Sequence, residues 1–290
     1  MIYQSEIKNS IAVFDSGLGG LSVLCDLCKL PELANEKFFY FADSKNLPYG
    51  DKSAKFIFER ILQIAVFLEN LGFKALVIAC NTATALAADE IRKIVKIPVI
   101  AIEPAIKPAV EISKNQGEHK TIAVLATNLT IQSERYQNLI KKYAITEKIN
   151  VISIACCGLA ESIEILEKTQ QQQQINLLLN KYLNFDNYNV NLVDAIVLGC
   201  THYIWIKPQI SEKLHKKNKQ IPILDTGKAV ALQLYKKLVE NNILNQKNSI
   251  SNQENKCYFF SNISPKKIAE LNLVANNLAN MKIHFFHENF

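Results

Sequence analysis

Ala75-Leu-Val-Ile-Ala79 is an unbroken apolar run that delivers Cys80, Asn81 and Thr82 at its end. It has no polar alternation, which fits a strand buried on both faces of a parallel sheet. Ala195-Ile-Val-Leu-Gly199, followed by Cys200, Thr201 and His202, repeats the pattern about 120 residues later. Upstream, Ser10-Ile-Ala-Val-Phe-Asp15-Ser16 is echoed by Thr121-Ile-Ala-Val-Leu-Ala126-Thr127, about 110 residues on and in the same order. One echo between short apolar strands carries little; two in matching order indicate that the chain starts again halfway.

Working outward, strand and helix alternate. Ile11–Phe14 reads as a strand, then a glycine-rich turn, then a helix from Leu21. Phe38–Ala42 is the next strand. Phe56–Leu71 has helical period, with Ile57, Ile61, Ile64, Ala65 and Leu68 on one face, and Gly72 ends it. A helix over Ala83–Val95 and a strand over Val99–Ile102 follow. Ile221–Leu224 is one more strand, ending at Asp225-Thr-Gly. The tail holds a strand at Tyr258–Phe260, a helix from Pro265 and an apolar run at Ile283–Phe286. Gln170–Gln174 either extends the Gln174–Leu183 helix or bulges from a loop, and the polar 245–255 stretch reads as a surface loop.

Such alternation means α/β. The expectation is two similar open, mostly parallel-sheet α/β domains, related by a pseudo-twofold axis, with the active site in the cleft between them. Residues 1–103 plus 222–290 would form the first, carrying Asp15 and Cys80. Residues 104–221 would form the second, carrying Cys200.

Composition narrows the function. At 290 residues, 49% apolar and 21% charged, the chain is neither disordered, collagen-like nor a coiled coil. No apolar run approaches the roughly 18 residues of a membrane span, and Met1–Ser10 is not a secretory leader. Seven cysteines, an odd number spread over the chain, read as reduced thiols in a cytoplasm. The net charge of +6 raises nucleic acid as a partner. Yet only Arg60, Arg92 and Arg135 supply the guanidinium fork that reads phosphates and guanines. Lys213, Lys216, Lys217, Lys219, Lys266 and Lys267 are read as solvated helix ends and loops, with an acidic partner as the alternative, and no nucleic acid is required.

Three segments can carry chemistry. Asp15-Ser-Gly-Leu-Gly-Gly20 follows a strand and opens a helix, where backbone N–H groups favour an anion. A dinucleotide site with Asp43 on the ribose is one reading, but Ser22 stands where the third glycine is needed. Cys80 ends a buried strand at a helix start, which lowers a thiol pKa from about 8.5 toward neutrality. Cys200 does the same in the second half, with His202 beside it. Nucleophilic catalysis needs one such thiol, and a metal site wants more ligands at tight spacing. Inverting a stereocentre needs two acid/base groups, one on each face of a planar carbanion. A thiol and a thiolate can exchange those roles. Cys25 and Cys28 form C-x-x-C within a helical pattern and Cys257 reads as packing. His119, His215, His284 and His287 lie in polar or terminal segments.

FDSGLGGLSVL, FADSKNLPYGDKS, ACNTATALA, LGCTHY and the late DTG resemble the glutamate racemases of the cofactor-independent aspartate/glutamate racemase superfamily, from about Ile11 to Ala231. LGCTHY favours the glutamate over the aspartate branch; an enzyme acting on aspartate or another α-acid is the alternative. The resemblance implies that Cys80 takes the proton from D-glutamate and Cys200 from L-glutamate. Asp15 and His202 would assist, with an acid before the second cysteine strand: Glu164 by register, Glu161 as its competitor. Cys157 replaces the family's usual proline there, and Ala126 a usual glycine. Substrate would contact Asp15, Ser16, Pro48, Tyr49, Gly50, Asn81, Thr82, Thr127, Thr130, Thr201 and His202. No metal, pyridoxal phosphate or other cofactor is implied. The expected role is supply of D-glutamate for peptidoglycan by a cytoplasmic homodimer.

Overall fold

Short apolar runs build two parallel sheets. The computed structural model describes residues 7–116, 118–165, 168–183, 192–215, 220–246, 257–261 and 283–287. The chain forms two units, Met1–Ile102 with Gly227–Phe290, and Glu103–Thr226.

The first unit contains β1 (Ile11–Asp15), α1 (Leu21–Lys29), β2 (Phe38–Ala42), α2 (Ala54–Asn70), β3 (Ala75–Ile78), α3 (Asn81–Ile94) and β4 (Val99–Ala101). The second unit contains α4 (Ile106–Gln116), β5 (Thr121–Ala126), α5 (Asn128–Gln132), α6 (Glu134–Ile140), β6 (Asn150–Ala155) and α7 (Leu159–Ile163). It continues through α8 (Lys168–Tyr182), β7 (Ala195–Gly199), α9 (Lys207–His215) and β8 (Ile223–Leu224). The chain then returns to the first unit through α10 (Gly227–Glu240), β9 (Cys257–Ser261) and β10 (Ile283–His287).

The first sheet runs β10-β9-β2-β1-β3-β4 and the second β6-β5-β7-β8. All described pairings are parallel. The order β2-β1-β3-β4 is thus repeated as β6-β5-β7-β8. The register repeats as well. Ile11 pairs with Ala75 in one sheet and Ile122 with Ala195 in the other. Leu76 pairs with Val99, and Ile196 with Ile223. Asp15 therefore corresponds to Ala126, Ser16 to Thr127 and Cys80 to Cys200.

β8 corrects the sequence reading of the crossover. Ile223–Leu224 pairs with β7, so the strand belongs to the second unit and the return falls after Thr226. Two paired residues are too few for their pattern to say which sheet they join.

Each sheet has a close-packed core. In the first, Phe39 stacks between Tyr258 and Phe260 and meets Phe73 edge-on. The α2 face of Ile57, Ile61, Ile64, Ala65 and Leu68 is buried against it, at about 1.5–3 kcal/mol for each large aliphatic side chain. Ser53 caps that helix by accepting from the Phe56 N–H, and Gly72 leaves it with φ +93°, a conformation costly for any other residue. The glutamine tract lies within α8. Among the described residues no helix is long and apolar enough to cross a membrane. Lys216, Lys217, Lys219, Lys266, Lys267 and the helix expected from Pro265 lie outside the described residues, as does most of the 245–255 stretch.

Candidate active site

β3 ends at Ile78, and the chain is still extended at Cys80, which itself caps α3. The helix begins at Asn81, two residues before the start expected from the sequence, because the thiol takes the capping role. Its sulfur accepts from the Ala83 N–H at 3.5 Å and lies 3.6 Å from the Ser16 hydroxyl. The sulfur therefore sits at the positive end of the helix dipole. Asn81 and Thr82 are buried beside it, and the Asn81 Oδ1 has no hydrogen-bond partner among the described residues.

Asp15 ends the neighbouring strand and is fully buried. The Gly20 N–H donates to its Oδ2 at 2.6 Å, and the Tyr40 hydroxyl lies 3.3 Å from the same oxygen while donating to the Gly17 carbonyl. Glycine is required at position 20. A Cβ there would fall 2.9 Å from Asp15 Cβ, Ala79 Cβ and the Tyr40 hydroxyl.

The second thiol has different company. Cys200 leads into a short 3₁₀ helix, Thr201–Ile206, and its sulfur makes no capping bond. It lies 3.7 Å from His202 Nδ1, and His202 Nε2 lies 2.6 Å from Glu164 Oε1. Burial alone would lower the His202 pKa, but its bonds to Cys200 and Glu164 override that and hold it well above its ordinary value. Glu164 stands just past α7, whose entry turn uses Gly158 at φ +77°. Two buried hydroxyls fix that turn: Tyr203 donates to the Cys156 carbonyl and Tyr182 to the Cys157 carbonyl. Glu161, one helical turn earlier, sits in the electrostatic surroundings of Tyr203. Burial pushes the Cys156 thiol up, with the nearby Cys200 adding to it.

The remaining candidates divide between the units. Tyr49 is buried in the same core as Cys80 and Ala83, with half-buried Pro48 and Gly50 either side. In the second unit Thr127 caps α5, its Oγ1 2.9 Å from that of Thr130, and Thr201 is buried next to Cys200.

Asp43 is not available for a ribose. It is fully buried, and its carboxylate holds Arg60, Tyr49 and Asn46. Arg92 pairs with Asp89 and Arg135 with Glu103, so every arginine of the chain meets a carboxylate. Cys28 Sγ lies 3.5 Å from Cys257 Sγ, and burial raises the Cys25 thiol to about 11. Among the described residues no group of three or more His, Cys, Asp or Glu is arranged to hold a metal. Sequence reasoning overlooked Tyr40 and Arg60, whose partners are set by tertiary contact.

Two buried thiols thus end equivalent strands of equivalent sheets, each with its own polar neighbours. Residues 40–234 match the Asp/Glu/Hydantoin racemase family model. The glutamate racemase of Clostridium acetobutylicum is 39% identical over 267 residues, spanning 91% of this chain and 96% of that one. The solved glutamate racemase of Francisella tularensis in complex with D-glutamate matches with TM-score 0.76 at 32% identity, over 98% of both chains. The Escherichia coli glutamate racemase, solved with L-glutamate and the activator UDP-MurNAc-ala, matches with TM-score 0.74 at 25% identity, over 97% of this chain and 98% of that one. The chain belongs to the Asp/Glu/hydantoin racemase family and, within it, to the glutamate racemases.

Proposed function

We infer that the chain interconverts L- and D-glutamate by two-base proton transfer, with Cys80 and Cys200 as the acid/base pair. The observation that carries this is the repeated register: both cysteines end the equivalent strand of equivalent sheets, each in a buried polar setting. The chemistry requires the two thiols to address the α-carbon from opposite faces.

In one direction the Cys80 thiolate, favoured by the Ala83 N–H, removes the α-proton of D-glutamate, and the Cys200 thiol returns a proton from the other side. In the reverse direction Cys200 must be the base. His202, paired with Glu164, then holds a positive charge beside the forming thiolate. The α-carbanion is stabilised by donors on the substrate carboxylate in a site closed to water. Asn81, Thr82, Thr127, Thr130 and Thr201 supply amide and hydroxyl groups for the two carboxylates, and Asp15 faces the ammonium. No cofactor takes part in these steps. Supply of D-glutamate to peptidoglycan by a cytoplasmic homodimer completes the reading.

The test is α-proton exchange in deuterated water from each glutamate enantiomer, with no added cofactor and with aspartate as a parallel substrate. Deuterium should enter the α-position as each enantiomer turns into the other. Exchange confined to aspartate would replace the substrate, and none from either would remove the function.

A further inference from the structure

Arg60 and Asp43 form an ion pair that the proton chemistry leaves unused. Asp43 follows β2, and its backbone N–H donates to the Asp15 carbonyl at 3.0 Å. It therefore stands one strand away from the acid of the Cys80 half. Arg60 reaches down from α2 as a two-point fork, Nε to Oδ2 at 3.0 Å and Nη2 to Oδ1 at 2.8 Å. The Tyr49 hydroxyl donates to Oδ2 at 2.8 Å, and the Asn46 amide lies 3.1 and 3.0 Å from the two oxygens. A buried carboxylate is tolerated when it is paired and its lone pairs are filled, and this one is.

The arrangement brackets one turn. Asn46 and Tyr49 flank Leu47-Pro48, so Asp43 grips the loop on both sides of the proline. The backbone that follows, Tyr49–Asp51, is a single 3₁₀ turn, a weak element on its own. The Tyr49 ring packs 6.5 Å from Phe14 and shares the core that holds Cys80 and Ala83. The orientation of the Pro48–Gly50 turn is thus tied to Asp43, and that of Asp43 to the guanidinium plane of Arg60.

We propose that Arg60 and Asp43 are positioning residues that, acting through the Tyr49 hydroxyl, hold the Pro48–Gly50 turn where it receives a glutamate carboxylate beside Cys80. This rests on the racemase reading above. A lysine at position 60 would keep the charge and lose the fork.

The experiment measures kcat and KM in both directions for Arg60→Lys, Tyr49→Phe, the double variant, and Lys74→Met. Lys74 pairs with buried Glu36 at 2.7 Å in the same unit and serves as the structural control. Arg60→Lys and Tyr49→Phe should each raise KM for both enantiomers on the order of 10- to 100-fold, with kcat changing less. The double variant should be no worse than the more severe single, because both break one chain of contacts. Lys74→Met should lower Tm with KM unmoved. An unmoved KM in Arg60→Lys and Tyr49→Phe, or a double variant whose effect is the product of the singles, overturns the proposal while leaving an active enzyme. A wild-type chain that exchanges no α-proton of glutamate removes the functional reading and this proposal with it.

Discussion

The two halves repeat strand order and register, yet they surround their thiols differently. In the first, Cys80 caps a fourteen-residue helix and meets a backbone N–H and the Ser16 hydroxyl. In the second, Cys200 precedes a six-residue 3₁₀ helix with no cap bond, and an imidazole–carboxylate pair stands beside it. A long α-helix brings aligned dipoles to its N-terminus, whereas a short 3₁₀ turn brings little. Cys80 thus has the polar end of a long helix and a hydroxyl beside it, while Cys200 has a buried imidazole–carboxylate pair beside it.

The strongest way to break this pairing is to remove either sulfur. Cys80→Ser and Cys200→Ser should each lose racemisation by about 10⁴-fold or more, since serine is far too weak an acid to share the proton traffic. Polarimetry on each glutamate enantiomer measures it. Substantial activity in either variant would make the two halves functionally unequal and end the two-base mechanism.

The helpers sharpen it at a smaller scale. Glu164→Gln and His202→Asn should depress kcat on the order of 10²–10³-fold, more from L to D than from D to L. Asp15→Asn should show the opposite preference, and Glu161→Gln should be nearly silent. The equilibrium constant between enantiomers is one, so kcat/KM must fall equally in both directions and each asymmetry in kcat must reappear in KM. A crippling Glu161→Gln with a silent Glu164→Gln would move the assisting role one helical turn.

His202 also leaves a mark on stability. Its folded pKa is raised by its contacts with Cys200 and Glu164. The stability this adds is complete below the unfolded imidazole pKa of about 6.5 and is lost as pH climbs through the folded value. The Tm difference between wild type and His202→Asn should therefore be widest in mild acid and shrink toward alkaline pH. A difference that widens with pH would mean that the imidazole is held neutral.

The smallest expected effect separates Ser16 from its counterpart Thr127. Thr127 accepts from the Thr130 N–H and caps α5, so Thr127→Ala should cost about 1 kcal/mol in denaturant unfolding. Ser16→Ala should leave stability nearer to wild type and slow the D-to-L direction instead, because its hydroxyl faces Cys80.

The strands and both cysteines were legible because a run buried on both faces leaves a mark that needs no knowledge of its neighbours. The helix face of α2 was legible for the same reason, through its period. The end of the second unit was not: β8 is two residues long, and its sheet is decided by the partner it finds. Glu164 was favoured over Glu161 by register alone, and in the structure it is Glu164 whose Oε1 lies 2.6 Å from His202 Nε2. Arg60 counted only as one of three arginines, because it lies on α2 like any surface charge, with its carboxylate seventeen residues back on another element. Asp43 drew attention for the wrong chemistry, since a strand-terminal acid looks the same whether it will meet a ribose or a guanidinium.

Gly20 has an evolutionary consequence. Its N–H is committed to Asp15, and the space a Cβ would need is filled from three sides. Turning this loop into a phosphate cradle would require Asp15 to go first, releasing the amide at the cost of the acid. Any substitution at Gly20 itself would push against Asp15, Ala79 and Tyr40 together. The neighbouring genotypes that could begin such a conversion are thus ones that damage the present site, and descendants of this chain are held to the glycine by the geometry of a single missing methyl group.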